Sequence, residues 1–212
     1  MDTAFWHRKW EKNDIAFHGS EANPLLVKYF DKLSLARESR VFLPLCGKTR
    51  DISWFLSRGY RIVGSELVAL AIEQLFADLD MEFEITRAGE AKRYSAKDID
   101  IFVGDIFCLS KSLLGPVGAV YDRAALVALP KEMRKRYAAQ VQDVTREAPQ
   151  LLISYEYDQA QMEGPPFSIS GDEIRERYGS YDVTLLESVA VPGGLKGKCA
   201  ASENAWLLST KK

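Results

Sequence analysis

The chain has 212 residues, 47% hydrophobic and 27% charged, a composition that supports a sizeable core and excludes a largely disordered chain. Its 28 basic and 30 acidic residues leave a net charge of -2, which offers no long-range field to a nucleic-acid backbone or an anionic membrane. No apolar run approaches the roughly 20 residues that span a bilayer, and the charged, aromatic first ten residues contain no apolar stretch of the signal-peptide kind.

Cys46, Cys108 and Cys199 are far apart and odd in number, which argues against a disulfide framework or a zinc site and for a reducing compartment. His7 and His18 have no Cys or carboxylate partners at ligand spacing, so no metal site is expected. The basic run from Lys131 to Arg136 contains Glu132 and Met133 and reads as a solvated helix face.

In chain order, the aromatic opening of Phe5, Trp6, Trp10 and Phe17 comes first. Asn23-Pro24 then has the form of a helix start, with Asn at the cap and Pro at the first helical position, and predicts a short helix over 24–33. Residues 40–45 read as a buried strand, 51–58 as a helix stopped by Gly59, and 61–65 as a second strand. A helix over 67–79 follows, then strands at 99–103, 119–121 and 151–157, with a helix over 131–146 before the last of these. Strands alternating with helices predict a doubly wound, mostly parallel sheet. Strands at 183–189 and 205–209 are joined without a helical pattern, so the sheet should end in an antiparallel strand. The expectation is one α/β domain over 1–212 with seven strands: a lid and helix over 1–35, and a core over 40–212.

In such sheets ligands bind beyond the carboxyl ends of the strands, near the point where strand order reverses. Gly47 and Glu66 stand at two of these ends, about as far apart as a nucleotide-loop glycine and the acid that grips ribose hydroxyls. The simpler rival is a surface Glu at a helix N-terminus, where it also suits the dipole. The loop lacks Gly-x-Gly-x-x-Gly, so a pyrophosphate cofactor, and with it a nicotinamide oxidoreductase, is disfavoured. Asp105 and Ile106 follow the third strand, and Asp122 and Arg123 the fourth.

Several strings together are similar to one family. Phe5-Trp6-His7-x-x-Trp10, Phe17-His18, Val41-Phe-Leu-Pro-Leu-Cys-Gly-Lys48 with Asp51, and Val63-Gly-Ser-Glu66 come first. Asp105-Ile-Phe107, Tyr121-Asp-Arg-Ala-Ala-Leu-Val-Ala128 and Gly164-Pro-Pro-Phe167 follow in order. The chain resembles the thiopurine S-methyltransferase family, in its compact bacterial form, over nearly its whole length.

The resemblance implies a Rossmann-like fold of the seven-stranded methyltransferase class and S-adenosyl-L-methionine as cofactor, released as S-adenosyl-L-homocysteine. It implies that Trp10 covers the cofactor, Leu45 contacts it, Glu66 binds the ribose, Asp105 and Ile106 flank the adenine, and Arg123 lies beside the methyl-transfer site. Phe17 would line the acceptor pocket. Simpler roles compete: Trp6 and Trp10, one helical turn apart, form a core stripe, Leu45 is strand core, Phe17 is packing, and Arg123 pairs with Asp122 to fix its loop. No catalytic base is named, because an aromatic thiol or selenol is substantially ionised near neutral pH.

The expected partner is a small-molecule thiol or selenol, with selenium and tellurium compounds implied by bacterial relatives and halide or thiocyanate by a further branch. A binding module without turnover is the non-enzymatic alternative. A cytoplasmic monomer that binds neither nucleic acid nor membrane is expected. The loop over 193–201 carries Lys196 and Lys198 where animal members have arginines.

Overall fold

Apart from Arg40 and Asp100, the runs Arg40–Leu43 and Ile99–Val103 are apolar on both faces, so these strands are stable only when covered on both sides. The computed structural model, which describes residues 3–15 and 21–211, provides that cover. Its elements are α1 (Thr3–Glu11), α2 (Pro24–Tyr29), β1 (Arg40–Leu43), α3 (Asp51–Ser57), β2 (Arg61–Glu66) and α4 (Ala69–Asp78). Then come β3 (Glu84–Ala88), β4 (Ala91–Ala96), β5 (Ile99–Val103), α5 (Lys111–Leu114), β6 (Ala119–Arg123) and α6 (Lys131–Thr145). The chain closes with β7 (Gln150–Tyr157), α7 (Gly171–Arg177), β8 (Tyr181–Ala190) and β9 (Ala201–Thr210).

Among the described residues the sheet has nine strands in the order β3-β4-β5-β2-β1-β6-β7-β9-β8, which corrects the expectation of seven. The additional pair is β3 and β4, an antiparallel hairpin added beside β5. Its side chains are mostly polar or exposed, with Glu84, Arg87, Lys92 and Arg93 charged and Ala88 and Tyr94 the buried ones, so it lacks the apolar run that marks an inner strand. Charge on an edge strand also discourages pairing with a further chain. The central strands β5-β2-β1-β6-β7 are parallel, and β9 runs antiparallel to β7 with β8 outside it.

Two apolar layers sandwich the sheet. Leu25 and Leu26 of α2, Ile52 and Phe55 of α3, and Ile72, Leu75 and Phe76 of α4 pack on one face. Tyr137, Ala138 and Val141 of α6, with Ile174 of α7, pack on the other. Asn23 caps α2 as its sequence predicts, its side-chain oxygen accepting from the Leu25 and Leu26 N–H groups. The helix is shorter than expected, giving way to a 3-10 turn at Phe30–Leu33. From β1 the chain builds outward through β2 to β5, then returns to the other side of β1 with β6 and β7. The order therefore reverses between β1 and β6, which places a crevice at the ends of those two strands.

Candidate active site

A cavity of about 770 Å³ opens at that reversal. Its floor includes Leu45, Cys46, Gly47, Glu66, Arg123 and Ala124 from the ends of β1, β2 and β6. Trp6, Lys9 and Trp10 of α1 close one side, and Gly164–Pro166 with Leu195 and Lys196 close another.

The loop after β1 is laid directly onto the end of β2. Leu45 N–H donates to Ser65 Oγ (3.3 Å), and Cys46 N–H to Ser65 O (3.0 Å). Gly64 makes this approach possible: a Cβ there would lie 2.6 Å from Ile101 Cδ1 and 3.1 Å from Cys46 Sγ. Gly47, at φ 51°, turns its N–H onto Glu66 Oε2 at 2.9 Å. The pair picked out by sequence spacing is thus in contact. Glu66 Oε1 accepts from Leu67 N–H (2.7 Å) and Val68 N–H (3.1 Å), so one carboxylate holds three backbone donors. Burial pushes the Glu66 carboxyl above its ordinary range, and those N–H groups oppose the rise. Burial, reinforced by Glu66, also pushes the Cys46 thiol up, so it is held as a neutral lining group.

Two non-glycine residues of the floor, Leu45 (φ 46°) and Ala124 (φ 65°), have left-handed backbone. Such conformations cost on the order of 1–3 kcal/mol and persist where the surroundings over-determine them. Neither residue type signals the conformation in a sequence.

Trp10 is buried against Val68 and Ala71 while also lining the cavity. It is therefore a core residue and part of the cavity wall at once, whereas Trp6 is half-buried and faces the cavity beside it. Asp105 and Ile106 are not among the lining residues. Asp105 is exposed, accepting from Phe107 N–H, and Ile106 is buried in the α6-side core. They stay one step from the rim, since Gly104 N–H donates to Glu66 O at 2.8 Å. Phe17 and His18 lie outside the described residues.

Arg123 does not pair with Asp122, which corrects that reading. Asp122 points to the α6 side, where Tyr137 Oη donates to it at 2.7 Å and Leu126 N–H at 3.2 Å. Burial pushes its carboxyl up to about 6, against these bonds. Arg123 Nη1 instead lies 3.5 Å from Asp51 Oδ2. Asp51 is fully buried and also accepts from Asn23 N–H (2.7 Å) and Tyr121 Oη (3.0 Å). Burial works against the Arg123 charge, and Asp51 with neighbouring Tyr121, Tyr155 and Glu203 more than offsets it, keeping the guanidinium charged.

The network continues across the sheet. Tyr155 and Glu203 are register partners on β7 and β9, and Tyr155 Oη donates to Glu203 Oε1 at 3.2 Å. Asn23 Nδ2 reaches the same oxygen at 2.9 Å. At the mouth, Lys9 pairs with Asp14, and Lys196 Nζ donates to Pro165 O at 2.7 Å. Asp51 follows the Val41–Lys48 string closely, but no spacing rule joins it to Tyr155 or Glu203. Only the sheet register brings those residues together.

The family model described as thiopurine S-methyltransferase matches residues 1–209. A thiopurine S-methyltransferase of Xanthobacter autotrophicus is 52% identical over 210 residues, covering 98% of this chain and 99% of the relative. One from Teredinibacter turnerae is 48% identical over 210 residues, covering 99% and 98%. Among solved structures, the Burkholderia thailandensis 1,6-didemethyltoxoflavin-N1-methyltransferase, with bound 1,6-didemethyltoxoflavin and S-adenosylhomocysteine, superposes with a TM-score of 0.65. It is 16% identical and covers 98% of this chain and 87% of that one. At that identity the likeness is one of fold.

Proposed function

This chain belongs to the thiopurine S-methyltransferase family, and from that premise we propose that it transfers a methyl group from S-adenosyl-L-methionine to a small aromatic or heterocyclic thiol. The observation that carries the reading is the Gly47–Glu66 contact on the floor of a cavity at the strand-order reversal. A volume of about 770 Å³ falls within the range of small-molecule sites. A carboxylate has about four acceptor positions, so Glu66, with three backbone donors, retains capacity for a ribose hydroxyl. The floor has one glycine among Leu45, Cys46 and Gly47, which suits a cofactor without phosphate.

The bound cofactor would supply a sulfonium methyl group as the electrophile. The chain's own work is then alignment and exclusion of water. Trp10 and Trp6 cover the cofactor from α1 and Leu45 contacts it, while the adenine-flanking role of Asp105 and Ile106, which do not line the cavity, rests on the family resemblance alone. Arg123, held by Asp51, places a fixed positive charge near an anionic acceptor. The Phe17 role in the acceptor pocket rests on the family resemblance alone.

No described helix is long and apolar enough to cross a membrane. The proposed setting is a cytoplasmic monomer acting on a small molecule. Calorimetric titration with S-adenosylhomocysteine, followed by methyl transfer to 6-mercaptopurine, tests the reading. Binding with turnover is expected. Turnover of iodide or thiocyanate without any thiol would move the assignment to an inorganic acceptor. No binding would overturn it.

A further inference from the structure

We propose that Tyr155 and Glu203 form a proton exit that serves acceptors entering the site as neutral thiols. Tyr155 lines the cavity on the same rim as Arg123, whereas Glu203 is not among the cavity's lining residues and is half-buried. The register of β7 and β9 sets the two residues opposite each other, so the phenol bridges from the cavity to a carboxylate outside it. Asn23 Nδ2, at 2.9 Å from the same carboxylate oxygen, fixes its position from the start of α2.

Burial and the neighbouring Glu203 push the Tyr155 phenol up to about 12. It therefore holds its proton at neutral pH and presents it to Glu203. Arg123 faces the same phenol and would attract a thiolate but cannot take a proton.

In the proposed step the acceptor S–H bond breaks and its proton passes to the Tyr155 oxygen. The original phenolic proton passes at the same time to Glu203 Oε1. The acceptor sulfur keeps the electron pair of the broken bond and uses it to form the S–CH3 bond. The pair of the broken methyl–sulfonium bond returns to the donor sulfur, which leaves neutral. One positive donor and one negative carboxylate thus become two neutral groups, and Glu203 then returns its proton to solvent.

This inference rests on the methyl-transfer reading, and the experiment separates the two. Two acceptors are compared at neutral pH: 5-mercapto-2-nitrobenzoic acid, whose thiol is ionised, and benzyl mercaptan, whose thiol is not. In Glu203→Gln the amide oxygen still accepts from Tyr155 but takes no proton; Tyr155→Phe keeps the ring and removes the relay. Calorimetry with S-adenosylhomocysteine reports that each variant retains a folded site. The expected result is that each variant loses at least tenfold more kcat/KM on benzyl mercaptan than on the ionised thiol. Equal losses on both thiols, or no loss, would leave the methyl-transfer reading standing and overturn the proton exit. Failure of the wild-type protein to turn over either thiol would overturn both.

Discussion

The two sides of the cavity are held by different means. On the β1–β2 side the organising group is Glu66, and its three hydrogen bonds all come from backbone N–H groups of adjacent loops. On the β6–β7–β9 side it is Asp51, and the network around it joins side chains of Asn23, Tyr121, Arg123, Tyr155 and Glu203. The first arrangement needs a carboxylate and a glycine at the right separation. The second needs five polar side chains from four separate segments to meet around Asp51, which only the completed sheet achieves. One side is a property of loops and the other a property of the fold.

That contrast predicts where damage spreads. Replacing Asp51 by Ala leaves the Asn23 N–H, the Tyr121 hydroxyl and the Arg123 charge without their common acceptor. Breaking a buried pair by removing one partner costs about 3–5 kcal/mol, so Asp51→Ala should lower the melting temperature by roughly 10 °C. A shift of a degree or two would show that the two sides are not built as differently as their hydrogen bonds suggest.

Asp122 lies beneath the same rim but outside the network, and it gives a pH-dependent test. Its folded value of about 6 stands above the ordinary 3.8, so on raising the pH the unfolded chain loses this proton first. Stability from this group is therefore fully present below about pH 4 and falls as pH rises toward 6, by at most on the order of 3 kcal/mol. Denaturant unfolding of wild type and Asp122→Asn across pH 4 to 7 checks the sign. Wild type should weaken relative to the variant as pH increases, and a constant difference between them would remove the strained-carboxylate account.

The same contrast explains what was legible in the sequence. Strands β1, β2, β5, β6 and β7 announce themselves because parallel strands buried on both faces read as apolar runs. The Gly47–Glu66 pair is legible because a loop contact between neighbouring strands leaves a fixed separation along the chain. The β3–β4 hairpin is not, since its charged edge strands resemble loop. The partner of Arg123 is misread because Asp122 is adjacent in sequence. Alternation along β6 sends Asp122 to the α6 side and Arg123 toward Asp51. Tyr155 and Glu203 meet through the antiparallel register of β7 and β9, which composition and periodicity do not specify.

On the backbone-held side, Glu66→Ala removes a buried acceptor of three N–H groups as well as the proposed ribose contact. S-adenosylhomocysteine should bind about 100-fold more weakly, roughly 2.7 kcal/mol, when titrated by calorimetry. Glu66→Gln keeps an acceptor oxygen and should fall between this variant and wild type. Unchanged affinity in Glu66→Ala would mean that the carboxylate serves the loops alone.

The smallest effect should come from Trp6, one of the two tryptophans of α1, and it separates their roles. Trp10 is buried against Val68 and Ala71, so its loss would undock α1 as well as uncover the cavity. Trp6 is half-buried on the cavity wall, and Phe5 meets its ring edge-on at 5.2 Å. A similar contact of the Trp6 ring with bound ligand would contribute about 0.5–1.5 kcal/mol beyond simple burial. Trp6→Ala should therefore weaken S-adenosylhomocysteine binding about fivefold while thermal unfolding in the absence of ligand stays close to wild type. If unfolding shifts and affinity does not, Trp6 belongs to the packing of α1 with Trp10, and the proposed cover over the cofactor reduces to Trp10.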